Sequence, residues 1–165
     1  MKPKKDADKR IKLRTVTDDD REFLLRVYEA SREIELAMTP WDTSQKRLFA
    51  EHQFDAQTRH YRSSYPAATH SIILFDGEPV GRLYADRGEG QIAILDITIL
   101  PEYRCKGIGT SLVGDMQAEG QRTNKSVSIY MESFNPSQKL FRELGFAAAD
   151  DDGINIRFEW PANSE

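Results

Sequence analysis

The sequence predicts one domain of mixed α/β layer architecture. Three observations carry that expectation. The 165 residues are the length of one ordinary domain, with no low-complexity linker or internal repeat to divide them. Segments with period-two apolar spacing alternate along the chain with segments of helical spacing. Finally, Ile92 to Leu100 is apolar on both faces apart from Asp96 and Thr98. It therefore reads as a central strand, covered on both sides.

Taken in order, Met1 to Arg10 holds Lys2, Lys4, Lys5, Lys9 and Arg10 against Asp6 and Asp8. It has no apolar core of a secretion signal and reads as a basic flexible tail, residues 1–10, before a domain spanning 11–161. Ile11 to Val16 alternates as a first strand. Thr17 starts a helix with Asp20 closing its box, and Phe23, Leu24, Val27 and Tyr28 form the buried stripe. Glu33 to Asp42 reads as irregular. A second helix follows, capped by Asp42 with Gln45 three residues on, and must stop by Pro66.

Ser71 to Asp76 and Val80 to Asp86 are strands joined by an Asp76-Gly77 hairpin turn. After the central strand comes Pro101 to Thr110, then a helix with Ile108, Leu112, Val113 and Met116 inward. Val127, Ile129 and Met131 mark the next strand, whose opposite face carries Ser128, Tyr130 and Glu132. Asn135 is expected to cap a short helix, with Pro136 in its first turn and Gln138 closing a box. That helix buries Leu140, Phe141 and Leu144 and ends at Gly145. A last hairpin turns through Asp150 to Gly153 and puts Ile154, Ile156, Phe158 and Trp160 on one face.

Composition excludes several functions. The 23 basic against 27 acidic residues give a net charge of -4, the wrong sign for a general nucleic-acid binder. No run approaches the roughly 18 apolar residues of a membrane span. The lone Cys105 allows no internal disulfide and no cysteine-rich zinc site. His52, His60 and His70 are scattered, so no metal is expected. The expectation is a soluble, cytoplasmic protein with no nucleic-acid or membrane partner.

The stretch that carries chemistry is Arg104-Cys105-Lys106-Gly107-Ile108-Gly109-Thr110. A central strand ends, a basic turn follows, and two glycines flank Ile108 as a helix begins. Glycine lets a ligand approach the backbone, and the first helical amides lack internal partners. With the helix dipole and two cations this makes a phosphate or pyrophosphate site, although two glycines at a helix start also serve plain packing. A Walker-type loop is absent. A dinucleotide fingerprint would need a third glycine where Leu112 stands, but Glu132, about 20 residues downstream, mimics its ribose-binding acid.

Arg104-x-x-Gly107-x-Gly109, following Pro101-Glu102-Tyr103, resembles the pyrophosphate loop of the GNAT acyl-CoA N-acyltransferase superfamily. Asn135-Pro136, Leu140-Phe141 and Leu144-Gly145-Phe146 resemble that superfamily's late helix and following strand. The match covers about Ile92 to Ala149. The resemblance implies a GNAT-like fold with a mixed, mostly antiparallel central sheet flanked by helices. It implies acetyl-CoA (CoA) as cofactor and direct transfer of the acyl group to a primary amine. Pantetheine would pair with the backbone of Ile97, Thr98 and Ile99. The amides of Cys105, Lys106, Gly107, Ile108, Gly109 and Thr110 would hold the pyrophosphate beside Arg104, and Asn135 and Phe141 would lie along the arm. The acceptor would be a small-molecule or peptide amine. Dimers are common among similar proteins, so the resemblance allows a homodimer.

Two positions depart from the pattern. The glutamate many members carry early in the central strand is Ala93 here, and the tyrosine of the late helix is Phe141, which has no proton to donate. The replacements on offer are Glu132, or a water it orients, as base and Tyr130 as donor; both also fit a solvated strand face. Asp96, a charge in an apolar strand, reads as a structural hydrogen-bond acceptor. Glu33, Glu35, Trp41, His52 and His60 are available to an acceptor pocket. Two alternatives stand beside the enzyme reading: a CoA-binding sensing module without catalysis, and a dinucleotide-binding domain.

Overall fold

The computed structural model describes residues 7–162. Its strands are β1 (Ile11–Thr15), β2 (Thr69–Phe75), β3 (Glu78–Arg87), β4 (Gln91–Ile99), β5 (Ser126–Glu132), β6 (Ala147–Asp151) and β7 (Asn155–Trp160). The helices are α1 (Ala7–Arg10), α2 (Arg21–Ser31), α3 (Glu33–Ala37), α4 (Thr43–Ser64), α5 (Ile108–Thr123) and α6 (Gln138–Glu143). The strands form one sheet in the order β1-β2-β3-β4-β5-β7-β6. Every pairing is antiparallel except β4 with β5. That single parallel pair needs a crossover, which α5 supplies. A dinucleotide-binding domain is built on a parallel sheet, so the topology removes that alternative.

Local chemistry explains most boundaries. Asp76 and Gly77 both have positive φ, as a tight hairpin turn with the twist of its strands requires. At the start of α4 the Gln45 amide donates to Asp42 Oδ1 at 2.8 Å, and the Asp42 amide donates to Gln45 Oε1 at 2.9 Å. The Thr17 amide donates to Asp20 Oδ2 at 2.7 Å, and Arg14 donates to both Asp20 oxygens. Burial raises the pKa of the Asp20 carboxyl, but these donors, led by Arg14, outweigh it and hold it down to about 2.

Helices cover both faces of the sheet. Leu24, Leu25 and Tyr28 of α2 and Ala50 and Phe54 of α4 pack over Ile72 on one side. On the other, Ile108, Leu112, Val113 and Met116 of α5 and Phe141 of α6 meet Val80, Ile92, Ile94, Val127, Ile129 and Phe158. Burying each large apolar side chain stabilises the fold by roughly 1.5–3 kcal/mol. No helix among the described residues is long and apolar enough to cross a membrane.

Four expectations change. The irregular Glu33–Asp42 segment contains a helical turn, α3, anchored by Leu36, which is buried between its neighbours. Asn135 is not the helix cap: α6 begins later, after Ser137. Asn135 Oδ1 instead accepts from the Ser137 amide at 2.8 Å, a local turn that competes with the helix. Ile154 does not share the face of Ile156 and Phe158; it sits in the turn before β7 and is 70% exposed. Of the basic tail, residues 1–6 lie outside the described part, residues 7–10 form α1, and Arg10 pairs with Asp76 at the β2–β3 turn.

Candidate active site

The site begins with an interruption in the sheet. Opposite β3, Tyr84 pairs with Asp96 and Ala85 with Ile94, so Leu95 is an extra residue in β4. Such a bulge bends its strand and strengthens the local twist. On its other edge β4 pairs with β5 only from Gln91 to Ile94. Beyond the bulge the two strands part, and the edge of Asp96 to Ile99 facing β5 is left without a ladder partner. The bulge is held from the α4 side: the half-buried Tyr61 donates its hydroxyl to the Leu95 carbonyl at 2.9 Å. Burial pushes the Tyr61 pKa up to about 12, so it remains a neutral donor. Arg82 of β3, only 1% exposed, donates to Asp96 Oδ2 at 2.5 Å and also bonds Gln57. Thr98 Oγ1 donates to Asp96 Oδ1 at 2.9 Å. Asp96 is thus the structural acceptor its sequence context suggested.

The parted strands open into a cleft of about 720 Å³. At one end lies the glycine-flanked loop. Gly107 has φ +80° and a Cβ there would meet nothing within 4 Å. Cys105 also takes a left-handed conformation, φ 61°, unusual for a residue with a side chain. The first hydrogen bond of α5 is donated by the Ser111 amide to the Gly107 carbonyl. Helix geometry therefore leaves the amides just before it aimed outward with no helical acceptor. Arg104 is anchored by Nε to the Ile99 carbonyl at 3.1 Å, which ties the cationic loop to the end of the open strand. The donor set, backbone amides at a positive helix end with a guanidinium and an ammonium close by, suits a phosphorylated ligand. The unpaired β4 edge suits an extended chain bearing amides.

Of the residues expected to bind cofactor, Ile97, Thr98, Ile99, Arg104, Cys105, Gly107, Ile108, Gly109, Thr110, Asn135 and Phe141 all line this cleft. Lys106 is exposed in the same loop. Ile108 and Phe141 also belong to the core, so each anchors its element while walling the cleft.

At the other end stand Glu132 and Tyr130, from the parted end of β5. Glu132 accepts from Arg32 at 3.0 Å and from Asn135 at 3.4 Å. Burial raises the Glu132 carboxyl, but its own backbone amide, Arg32 and Asn135 outweigh that and lower its pKa. Arg32, at the α2–α3 junction, also donates to Glu35 at 3.0 Å and lies over the Tyr28 ring. Burial disfavours its charge, but Tyr28, Glu35 and Glu132 raise its pKa. Tyr130 is 65% exposed on the cleft wall. Ala93 lies back in the paired half of β4, opposite Ser128.

Glu33 and Glu35 also reach the cleft, whereas Trp41 packs at a tilt against Phe49 and His52 and His60 lie along α4 away from it. Sequence reading missed Tyr28, Arg32, Gln57 and Tyr61 as cleft residues. Their helical spacing signals only an amphipathic helix, and nothing in it tells which face meets the bulge.

The geometry agrees with independent comparisons. The profile of the acetyltransferase (GNAT) family matches residues 28–146, well over half of the chain. The chain belongs to the GNAT acetyltransferase family. No curated protein matches it by sequence. Among solved structures, the chain is similar to the PaiA N-acetyltransferase of Thermoplasma acidophilum, determined in complex with coenzyme A. The two share 17% identity, with 92% of this chain and 98% of that one covered and a TM-score of 0.67. An acetyltransferase from Thermus thermophilus shares 22% identity over 92% and 96% of the two chains, TM-score 0.66. The ribosomal-protein-S18-alanine N-acetyltransferase of Escherichia coli shares 14% over 94% and 96%, TM-score 0.61. At these identities the likeness shows the fold: a GNAT sheet, mostly antiparallel and flanked by helices.

Proposed function

We propose that this GNAT-family protein is an acetyl-CoA-dependent N-acetyltransferase acting by direct transfer on a primary amine, from a small molecule or a peptide. The observation that carries the reading is the junction in one cleft of an unpaired strand edge with a glycine-flanked, cationic helix start. The amides from Cys105 to Thr110, with Arg104 and Lys106, would hold the pyrophosphate. The backbone of Ile97, Thr98 and Ile99 would pair with the pantetheine arm, with Asn135 and Phe141 beside it. When bound, the cofactor supplies an acyl group activated as a thioester.

The chain's own residues then have three tasks. An amide on the unpaired part of β4 stabilises the negative charge that develops on the carbonyl oxygen. Glu132 draws the acceptor's ammonium group and orients the water that takes its proton. Held low by Arg32 and Asn135, Glu132 is a poor direct base for an amine, so a water relay is the better route. The Tyr130 hydroxyl, on the same wall, is the available proton donor where Phe141 has none.

The test has separable parts. Saturating acetyl-CoA should raise Tm; at a hundredfold over Kd, binding contributes about 2.7 kcal/mol, or roughly 5–10 °C for a chain of this length. No shift at millimolar acetyl-CoA would end the cofactor assignment. Thiol release across an amine panel reads the transfer itself. Glu132→Gln should lower kcat about a hundredfold with the acetyl-CoA shift retained; an unchanged kcat would remove Glu132 from the reaction.

A second reading, a CoA-binding module without turnover, is favoured by Ala93 and Phe141 at the positions where many relatives carry base and acid, and by the engagement of Glu132 with Arg32. It predicts the thermal shift with no thiol release for any amine.

A further inference from the structure

The acceptor end of the cleft has a chemical signature of its own. Three large apolar side chains on its lining are left open to solvent: Ile34 of α3 at 63%, Tyr130 of β5 at 65% and Phe134 in the turn after β5 at 67% exposure. They come from three separate segments and converge on one rim. Single exposed apolar residues are ordinary, but several gathered around a cleft mark a surface that meets an apolar group.

Charge at the same rim is equally one-sided. Glu33, Glu35 and Glu132 line it, against Arg32, which is shared between Glu35 and Glu132 at 3.0 Å each. Among the described residues lining the cleft, the only other cation is Arg104, at the loop end. The acceptor end therefore holds more carboxylates than internal cations, with an apolar margin around them.

We infer that the acceptor is a single ammonium group carried on a bulky apolar body. This rests on the acetyltransferase reading above and names its substrate class. The ammonium is drawn to the carboxylates around Arg32, and the apolar body lies against Ile34, Tyr130 and Phe134. A long polyamine fits poorly: ammonium groups reaching beyond the carboxylates would rest on the apolar margin, where Ile34, Tyr130 and Phe134 supply no counter-charge. One chemistry has two sources here, an amphipathic small amine or a peptide whose first residue is apolar.

The experiment measures kcat/KM by thiol release from acetyl-CoA with the whole protein. Ethylamine, butylamine, hexylamine, phenethylamine and spermidine form one arm. Peptides differing only in the first residue (Leu, Met or Phe against Ser or Asp) form the other. The inference expects about a two- to fourfold rise per added methylene, so hexylamine exceeds ethylamine by at least tenfold and also exceeds spermidine. The arm that shows the apolar preference at the higher kcat/KM identifies the source, and that preference in either arm supports the inference. In Phe134→Ser and Ile34→Ser the hexylamine-to-ethylamine ratio should fall toward one. Because each ratio is internal to its variant, partial unfolding cannot imitate that change. A flat series or a preference for spermidine, with turnover intact, overturns the inference and leaves the acetyltransferase reading standing. Acetyl-CoA stabilisation with no turnover of any amine overturns both.

Discussion

Gly81→Ala tests the link between sheet packing and the open strand. Gly81 of β3 faces Ile99 of β4. A Cβ at this position would lie 2.1 Å from the Thr98 carbonyl oxygen and 3.1 Å from Ile99 Cα. Ordinary carbon–oxygen contact needs roughly 3.2 Å, so the two strands must separate by about 1 Å. Both opposing atoms are backbone, and no rotamer change relieves the overlap. The free side of β4 at Thr98 and Ile99 faces the cleft, since pairing with β5 stops at Ile94. The strand therefore yields into the groove. Overpacking of this kind costs about 3 kcal/mol, which for a chain of this length lowers Tm by roughly 6–12 °C. A displacement of that size in the positioning strand should also lower kcat about a hundredfold. Thermal melts with and without acetyl-CoA, paired with the thiol-release assay, measure both. Gly90→Ala is the control, because a Cβ there meets nothing within 4 Å. A Gly81→Ala protein that melts within a degree of the parent and turns over normally would refute the reasoning.

Three further outcomes follow from buried polar groups. His70 stacks on Tyr84 with its Nε2 buried and unpartnered, and burial, aided by Arg82, lowers its pKa to about 4. The unfolded chain then binds the extra proton first, so stability falls as pH drops from about 6.5 to 4. His70→Phe, which keeps the stack and cannot titrate, should flatten Tm over that window; an unchanged slope would reject the assignment. Asp20, held down to about 2, contributes stability that is present above the ordinary carboxylate range and lost as pH falls toward 2. The Tm gap between parent and Asp20→Asn should shrink between pH 4 and 2, and a constant gap would count against the Arg14 pair. Tyr61→Phe removes the part-buried donor to the Leu95 carbonyl and should cost on the order of 1 kcal/mol by chemical denaturation; no loss would mean the bulge holds without it.

Much of the fold was legible because its signals are local. The Asp76-Gly77 turn, the Asp42–Gln45 box and the Thr17–Asp20 box each depend on residues within four positions of one another, and all three are present. The two-faced apolar run of β4 and the glycines beside Ile108 were legible for the same reason, and with the late Asn-Pro segment they point to the GNAT family. What failed was equally physical. Asn135 has the chemistry of a helix cap, but its side chain closes a turn one step earlier. Leu36 turns a segment without a helical signature into α3 because a neighbouring surface buries it.

The sequence by itself determined the order of the elements, the central strand and the cationic, glycine-flanked loop, since each is written in contiguous residues. Only the tertiary structure decided what surrounds them. The bulge at Leu95 arises from register against β3, whose partners lie nine to twelve residues back, and the parting of β4 from β5 arises from pairing with a strand 35 residues further on. Arg32 meets Glu132 across a hundred positions, and that contact turns the expected base into a restrained carboxylate. Arg82, an ordinary strand residue in the sequence, is buried because Asp96 and Gln57 meet it there. Charge pairing and strand register are long-range, set by packing, and a single chain read in order carries no signal for either.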